Sequence, residues 1–165
     1  MQALVLRRYA KVFTLVMGLF LAVSGTAMAQ SNNANSPMGW WLDQTGKAGI
    51  FISQCSEGLC GQIRWLRDPV NANGTPKLDI HNKDVSLRDR KVCGLWMLGQ
   101  FVPDGPDSWK NGWIYDPASG KTYKSVMQLA SDGTLHVRGY VGIPLFGRSE
   151  IWTRSAKPLT PCTGG

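Results

Sequence analysis

Between Gly39 and Arg154, short runs of alternating apolar and polar residues are separated by clusters of Gly, Pro, Asp, Asn and Ser. A two-residue period suits half-buried strands, and the longer period of an amphipathic helix is hard to find. The pattern predicts eight strands: GWWLDQ (39–44), AGIFISQC (48–55), LCGQIRWLR (59–67), CGLWMLGQF (93–101), WKNGWIYD (109–116), KTYKSVMQL (121–129), TLHVRGYVG (134–142) and RSEIWTR (148–154). Turns at Thr45-Gly46-Lys47, Ser56-Glu57-Gly58, Pro117-Ala118-Ser119-Gly120 and Ala130-Ser131-Asp132-Gly133 join neighbours by short links, so sequential antiparallel pairing follows. An open sheet of this size exposes two edges, and closing the first strand on the last removes both. The expected fold is all-β: an eight-stranded antiparallel up-and-down barrel. A β-sandwich is the alternative, but it usually needs longer crossing connections.

Three segments fall outside this pattern. Residues 1–29 open with Arg7, Arg8 and Lys11, continue through an apolar run from Val12 to Val23, and end in Ala27-Met28-Ala29. That order is expected of a signal peptide cleaved after Ala29, not of a membrane span. The mature chain then has no transmembrane segment and is expected to be periplasmic or secreted. Residues 30–38, QSNNANSPM, read as a disordered lead-in to a single barrel domain over 39–165. The long connection 68–92 contains the polar residues Asp79, His81, Asn82 and Asp84. Its first reading is a loop knitted by Asx turns; a lid or a weak cation site is the alternative, although the EF-hand spacing is absent.

Removing the leader changes the charge. The whole chain has 18 Lys and Arg against 11 Asp and Glu, a net +7. Three of those bases and none of the acids lie in residues 1–29, which leaves +4 for the remainder. The bases are spread along the sequence with no visible stripe, so no nucleic-acid partner is expected. Four cysteines, Cys55, Cys60, Cys93 and Cys162, suit two disulfides in an oxidising compartment. Of the three connectivities, Cys55–Cys60 across a hairpin tip and Cys93–Cys162 at the tail are favoured. Loop-closure entropy assigns them roughly 2 and 4 kcal/mol. The spacing does not suit zinc, so no metal and no cofactor is expected.

Several short motifs occur in order: Gly39-Trp40-Trp41-Leu42, Leu59-Cys60-Gly61-Gln62-Ile63, Leu87-Arg88-Asp89-Arg90 before Cys93-Gly94-Leu95, Gly112-Trp113-Ile114-Tyr115-Asp116-Pro117 with Gly120-Lys121-Thr122-Tyr123, and Val137-Arg138-Gly139-Tyr140 with Gly147-Arg148-Ser149-Glu150-Ile151-Trp152. Together they resemble the secreted bacterial family called domain of unknown function 2147. The resemblance covers nearly all of 39–154 and implies a lipocalin-like (calycin) barrel with no established activity. Asn82-Lys83-Asp84 departs from that family's usual Asn-Pro-Asp, and so lacks the fixed backbone angle of proline. A second resemblance is to the lipocalins, which begin with G-x-W and carry an arginine after the last strand. It implies structural roles for Gly39, Trp41 and Arg154, with the guanidinium over the indole contributing roughly 0.5–2 kcal/mol.

Alternation then defines a candidate site. Arg148, Glu150, Trp152 and Arg154 share one face of the last strand, and His136, Arg138 and Tyr140 share one face of the strand before. If Arg154 packs on an interior Trp41, its face turns inward, and Arg138, Tyr140, Arg148, Glu150, Trp152, Trp113, Tyr115 and Tyr123 become candidates to line a ligand site. The competing arrangement sets the charged residues in water as a cross-strand row over a core of Leu135, Val137 and Ile151, as the usual apolar interior favours. The ligand reading implies a small amphiphilic or anionic molecule held by Arg138 or Arg148. A filled barrel acting as an envelope interaction protein, with some of its seven tryptophans in a contact patch, is the second reading. A hydrolase using Glu150 with Asp116 or Asp43 is the third, and the sequence has no G-x-S-x-G elbow to support a nucleophile; no catalytic residue is assigned.

Overall fold

The eight expected strands form, and the last closes on the first. The structure, a computed structural model, describes residues 36–162. The expected signal peptide and residues 30–35 of the lead-in lie outside those residues. The strands are β1 (Gly39–Leu42), β2 (Ala48–Cys55), β3 (Gly58–Leu66), β4 (Trp96–Pro103), β5 (Ser108–Asp116), β6 (Lys121–Leu129), β7 (Leu135–Tyr140) and β8 (Gly147–Arg154). Each pairs antiparallel with its sequence neighbours, and β1 meets β8 through Trp41↔Arg154 and Leu42↔Thr153. β4 starts at Trp96 and not at Cys93, because Val92–Leu95 form a turn with Gly94 at φ 92°.

The up-and-down order gives the barrel two distinct ends. The loop end carries the β1–β2 turn, the long β3–β4 connection, the β5–β6 turn and the β7–β8 loop. The terminal end carries the start of β1, the end of β8 and the other three turns. Both disulfides form as expected: Cys55–Cys60 bridges the β2–β3 hairpin, and Cys93–Cys162 ties the tail to the start of the β4 region. The tail lies across the outside of β2 and β3, where the Cys162 amide donates to the Arg64 carbonyl at 2.7 Å.

The core is the inner face of the barrel. Trp41, Ile50, Ile52, Leu98, Phe101, Leu135 and Trp152 are wholly buried there, with Met127 and Val137 nearly so. At the terminal end the guanidinium of Arg154 stacks 4.2 Å from the centre of the Trp41 ring. It donates to the carbonyls of Met38 (2.9 Å) and Ser36, and the Trp41 indole donates to Pro37 at 2.7 Å. Ser36–Met38, expected to be part of a disordered lead-in, are thus held as a strap across this end. Gly39 adopts φ 113°, and a Cβ there would stand 3.3 Å from the Arg154 Nη1. A side chain at this position would be strained and would crowd the stacked cation.

Two interruptions reset which residues face inward. Gln100 and Asn111 adopt positive φ (63° and 59°), and the register shifts between Trp109 and Gly112. Trp109 faces the core, but past the bulge Gly112 and Ile114 take the inner face, paired with Ser125 and Tyr123. Trp113 and Tyr115 therefore point outward, against the expectation that they line the interior. A bulge adds one residue to one strand and so inverts the alternation beyond it.

Candidate functional site

The last two strands divide the expected charge cluster between two faces. β7 and β8 pair Leu135↔Trp152, Val137↔Glu150 and Gly139↔Arg148. Directly opposed side chains share a face, so Arg148, Glu150 and Trp152 join Leu135 and Val137 on the inner wall. Arg138 pairs with Ser149 and points outward, and Tyr140 lies on that same outer face. The expectation that Arg138, Tyr140, Arg148 and Glu150 move together is corrected by this register.

The inner residues form a gradient from core to mouth. Trp152 is wholly buried, Glu150 is half-buried and Arg148, nearest the loop end, is exposed. The Trp152 Nε1 donates to Glu150 Oε2 at 2.9 Å. Arg148 faces Gly139, which presents no side chain, and the neighbouring wall is Ile114 and half-buried Tyr123. Among the described residues, neither ion pair in the structure involves Arg148.

On the outer face, Arg138 organises the β7–β8 loop. Its Nε donates to the Pro144 carbonyl at 2.6 Å, Nη1 to Ser149 Oγ at 2.9 Å and Nη2 to the Leu145 carbonyl at 3.1 Å. Trp113 packs beside Gly99 on the outer wall and shares a shallow cleft of about 270 Å3 with Trp96, Gln100, Glu57 and the Cys55–Cys60 disulfide. A second cleft, about 310 Å3, opens at the terminal end between the Ser36–Met38 strap and Leu59, Phe101 and Trp109.

Tyr115, on the outer face, anchors a buried polar network. It is buried beneath the β3–β4 connection, where its hydroxyl donates to Asp79 Oδ1 at 2.6 Å and accepts from Asn82 Nδ2 at 2.9 Å. Asp79 is fully buried and also accepts from Asn82 Nδ2 (2.8 Å) and from Arg90 Nε and Nη2, each at 2.8 Å. Arg90 lies 5.3 Å from the centre of the Tyr115 ring. Burial, then the Asp79 hydrogen bond and charge, raise the Tyr115 hydroxyl above its ordinary pKa. The connection is therefore clamped to the barrel wall by a satisfied buried network. Gly120, at φ 66°, fits against it so closely that a Cβ would come 1.7 Å from the His81 carbonyl oxygen. Asp84 caps the short 3-10 turn Val85–Leu87 through Ser86, whose hydrogen bonds hold the Asp84 carboxyl below its usual range.

The carboxylates weighed for hydrolysis are engaged elsewhere. Asp43 accepts from the amides of Lys47 (2.7 Å) and Ala48 (2.8 Å), and Asp116 accepts from the Ala118 amide and Ser119 hydroxyl at 2.9 and 2.7 Å. Both fasten turns. Among the described residues, no group of three His, Cys, Asp or Glu side chains is placed to hold a metal ion. Nor is any described helix long and apolar enough to cross a membrane.

These features agree with the comparisons. The family model described as "uncharacterized protein conserved in bacteria (DUF2147)" matches residues 39–154. The chain belongs to the DUF2147 family. Its matched span runs from the first residue of β1 to the last of β8, the whole closed barrel. A solved structure, protein HP1028 from the human pathogen Helicobacter pylori, described as belonging to the lipocalin family, superposes with a TM-score of 0.64. The two are 22 % identical over 73 % of this chain and 84 % of that one, which establishes a shared lipocalin-like fold. No curated protein matches the sequence. What the DUF2147 barrel shares with HP1028 is its architecture, and its charged inner wall has to be read from its own residues.

Proposed function

We propose that this DUF2147 protein is an exported barrel that binds a small amphiphile with an anionic head at the loop-end mouth of its inner wall. The observation that carries the reading is the run Arg148, Glu150, Trp152 along one inner face, with an exposed arginine above a buried tryptophan. Arg148 receives the anionic head, and Tyr123 and Ile114 receive the start of the apolar tail. The filled core restricts the ligand to the mouth, because the inner wall below Glu150 is occupied by side chains. The leader sequence supports export, and the two disulfides suit an oxidising compartment.

Titration with dodecanoate, followed by tryptophan fluorescence, tests this reading. The expected result is saturable binding that falls about tenfold or more in Arg148→Glu, with dodecanol binding the unaltered protein weakly, as loss of a charge-assisted contact requires. Equal affinity for the acid and the alcohol, or no effect of Arg148→Glu, would reject Arg148 as the head-group site. A filled barrel that contacts another protein is the second reading, favoured by the cleft of Trp96 and Trp113 on the outer wall. In that case Trp96→Ala would abolish a recurrent crosslink in intact cells and leave dodecanoate titration unchanged.

A further inference from the structure

We propose that the loop end of the barrel docks on an anionic lipid bilayer, with the β7–β8 loop as the inserting tip. Nine of the twelve large hydrophobic residues that are exposed among the described residues lie at this end, five in the β3–β4 connection and four in the β7–β8 loop. Val141, Ile143, Leu145 and Phe146 of that loop are 70, 53, 75 and 75 % exposed. Four exposed apolar side chains within six residues of one loop form a cluster of the kind that marks an interaction site.

The tip is braced. Arg138 binds the Pro144 and Leu145 carbonyls from beneath, and the Phe146 amide closes a turn on the Ile143 carbonyl at 3.1 Å. The carbonyls of Ile143, Pro144 and Leu145 and the Phe146 amide are thus satisfied internally while the side chains project, which lowers the cost of entering the interfacial region.

Charge selects the partner. The segments at the loop end (43–47, 67–92, 116–124 and 138–150) hold eleven Lys and Arg against seven Asp and Glu. The rest of residues 36–162 holds four of each. All of the barrel's net positive charge is therefore at the end with the exposed apolar side chains. Lys124 pairs with Tyr140 beside the tip, and Arg148 follows it directly. An anionic bilayer accepts both features, drawing the bases to its head groups and the apolar tip below them. A second copy docking by the same end would set two positive faces against each other. The inference does not require ligand binding: Arg148, beside the tip, lies on the inner wall, but Lys121 and Lys124 carry the test.

The chain from Gln30 onward holds the closed barrel and both disulfides, and suits a vesicle co-sedimentation test. Vesicles of phosphatidylglycerol and phosphatidylethanolamine should carry the protein down, and pure phosphatidylcholine vesicles should not. Leu145→Ser/Phe146→Ser should weaken binding about tenfold or more without changing the thermal unfolding midpoint, because both side chains are in water. Lys121→Glu/Lys124→Glu should weaken it several-fold and reduce its salt dependence. Absence of vesicle binding, or equal binding by the Leu145/Phe146 variant, would overturn the proposal. So would dimerisation by sedimentation velocity that is lost in that variant, which would assign the tip to a second copy.

Discussion

Removing the Tyr115 hydroxyl should loosen the β3–β4 connection without disturbing the barrel core. In Tyr115→Phe the ring stays, and two hydrogen bonds are lost: one donated to the ionised Asp79 and one accepted from Asn82. A bond to a charged group is worth about 1.5–3 kcal/mol and a neutral one about 1, offset in part by the hydroxyl's own desolvation, so the expected loss is about 2 kcal/mol. Asp79→Ala removes the acceptor shared by Tyr115, Asn82 and Arg90. Breaking a buried pair usually costs about 3–5 kcal/mol, but the Arg90 side chain is 39 % exposed and can rehydrate, which favours about 3. The double variant should lose about 4 kcal/mol and not about 5, because both changes delete the same bond. Urea unfolding followed by tryptophan fluorescence measures these losses, and hydrogen exchange over 75–92 locates them. Single losses below about 0.5 kcal/mol, or strict additivity in the double variant, would refute the claim that this network clamps the connection.

The same hydroxyl sets a pH dependence. Its pKa is raised above 10.0 in the folded protein, so its contribution is complete below about pH 10 and is lost as pH rises through the raised folded value. The urea midpoint of the unaltered protein should therefore approach that of Tyr115→Phe at high pH, and a constant gap from pH 8 to 11 would contradict the assignment. Among the disulfides, Cys93→Ser/Cys162→Ser should cost about 4 kcal/mol and Cys55→Ser/Cys60→Ser about 2, since the bridges span 69 and 5 positions. The reverse order in urea unfolding would show that closure of the longer loop is not what the tail bridge contributes.

Strand number, order and closure were legible in the sequence because each turn carries its own local chemistry. For β8 the sequence left both faces open: the stack of Arg154 on Trp41 argued for the inward one, while the usual apolar interior favoured the outward one. The face of β5 was not legible. Trp109, Trp113 and Tyr115 look equivalent by parity, and only the positive φ of Asn111 reveals the inversion between them. Asparagine tolerates that conformation better than most residues, but a lone Asn-Gly within a strand pattern does not announce a bulge. Arg138 was misjudged for a related reason. Its face depends on which β8 residue it opposes, and that register is set by the length and bracing of the intervening loop. Asp79 and Asn82 were noticed as a polar cluster, and part of the Asx-turn reading is realised at Asp84. Their partner Tyr115 is distant in sequence, so the buried network became visible only with the fold.

The meeting of β1 with β8 also constrains the order of assembly. Every other ladder joins strands that are consecutive in sequence and can form as a hairpin soon after its second strand is available. The pair Trp41↔Arg154 joins the first strand to the last, and its loop-closure entropy must be met before any contact across the seam is gained. Until β8 arrives, β1 has one vacant edge and the Trp41 indole lacks its covering cation. The chain would thus stay an unsealed, edge-bearing sheet until its last strand is available, and a chaperone that guards β1 during that interval would act where self-association is most exposed.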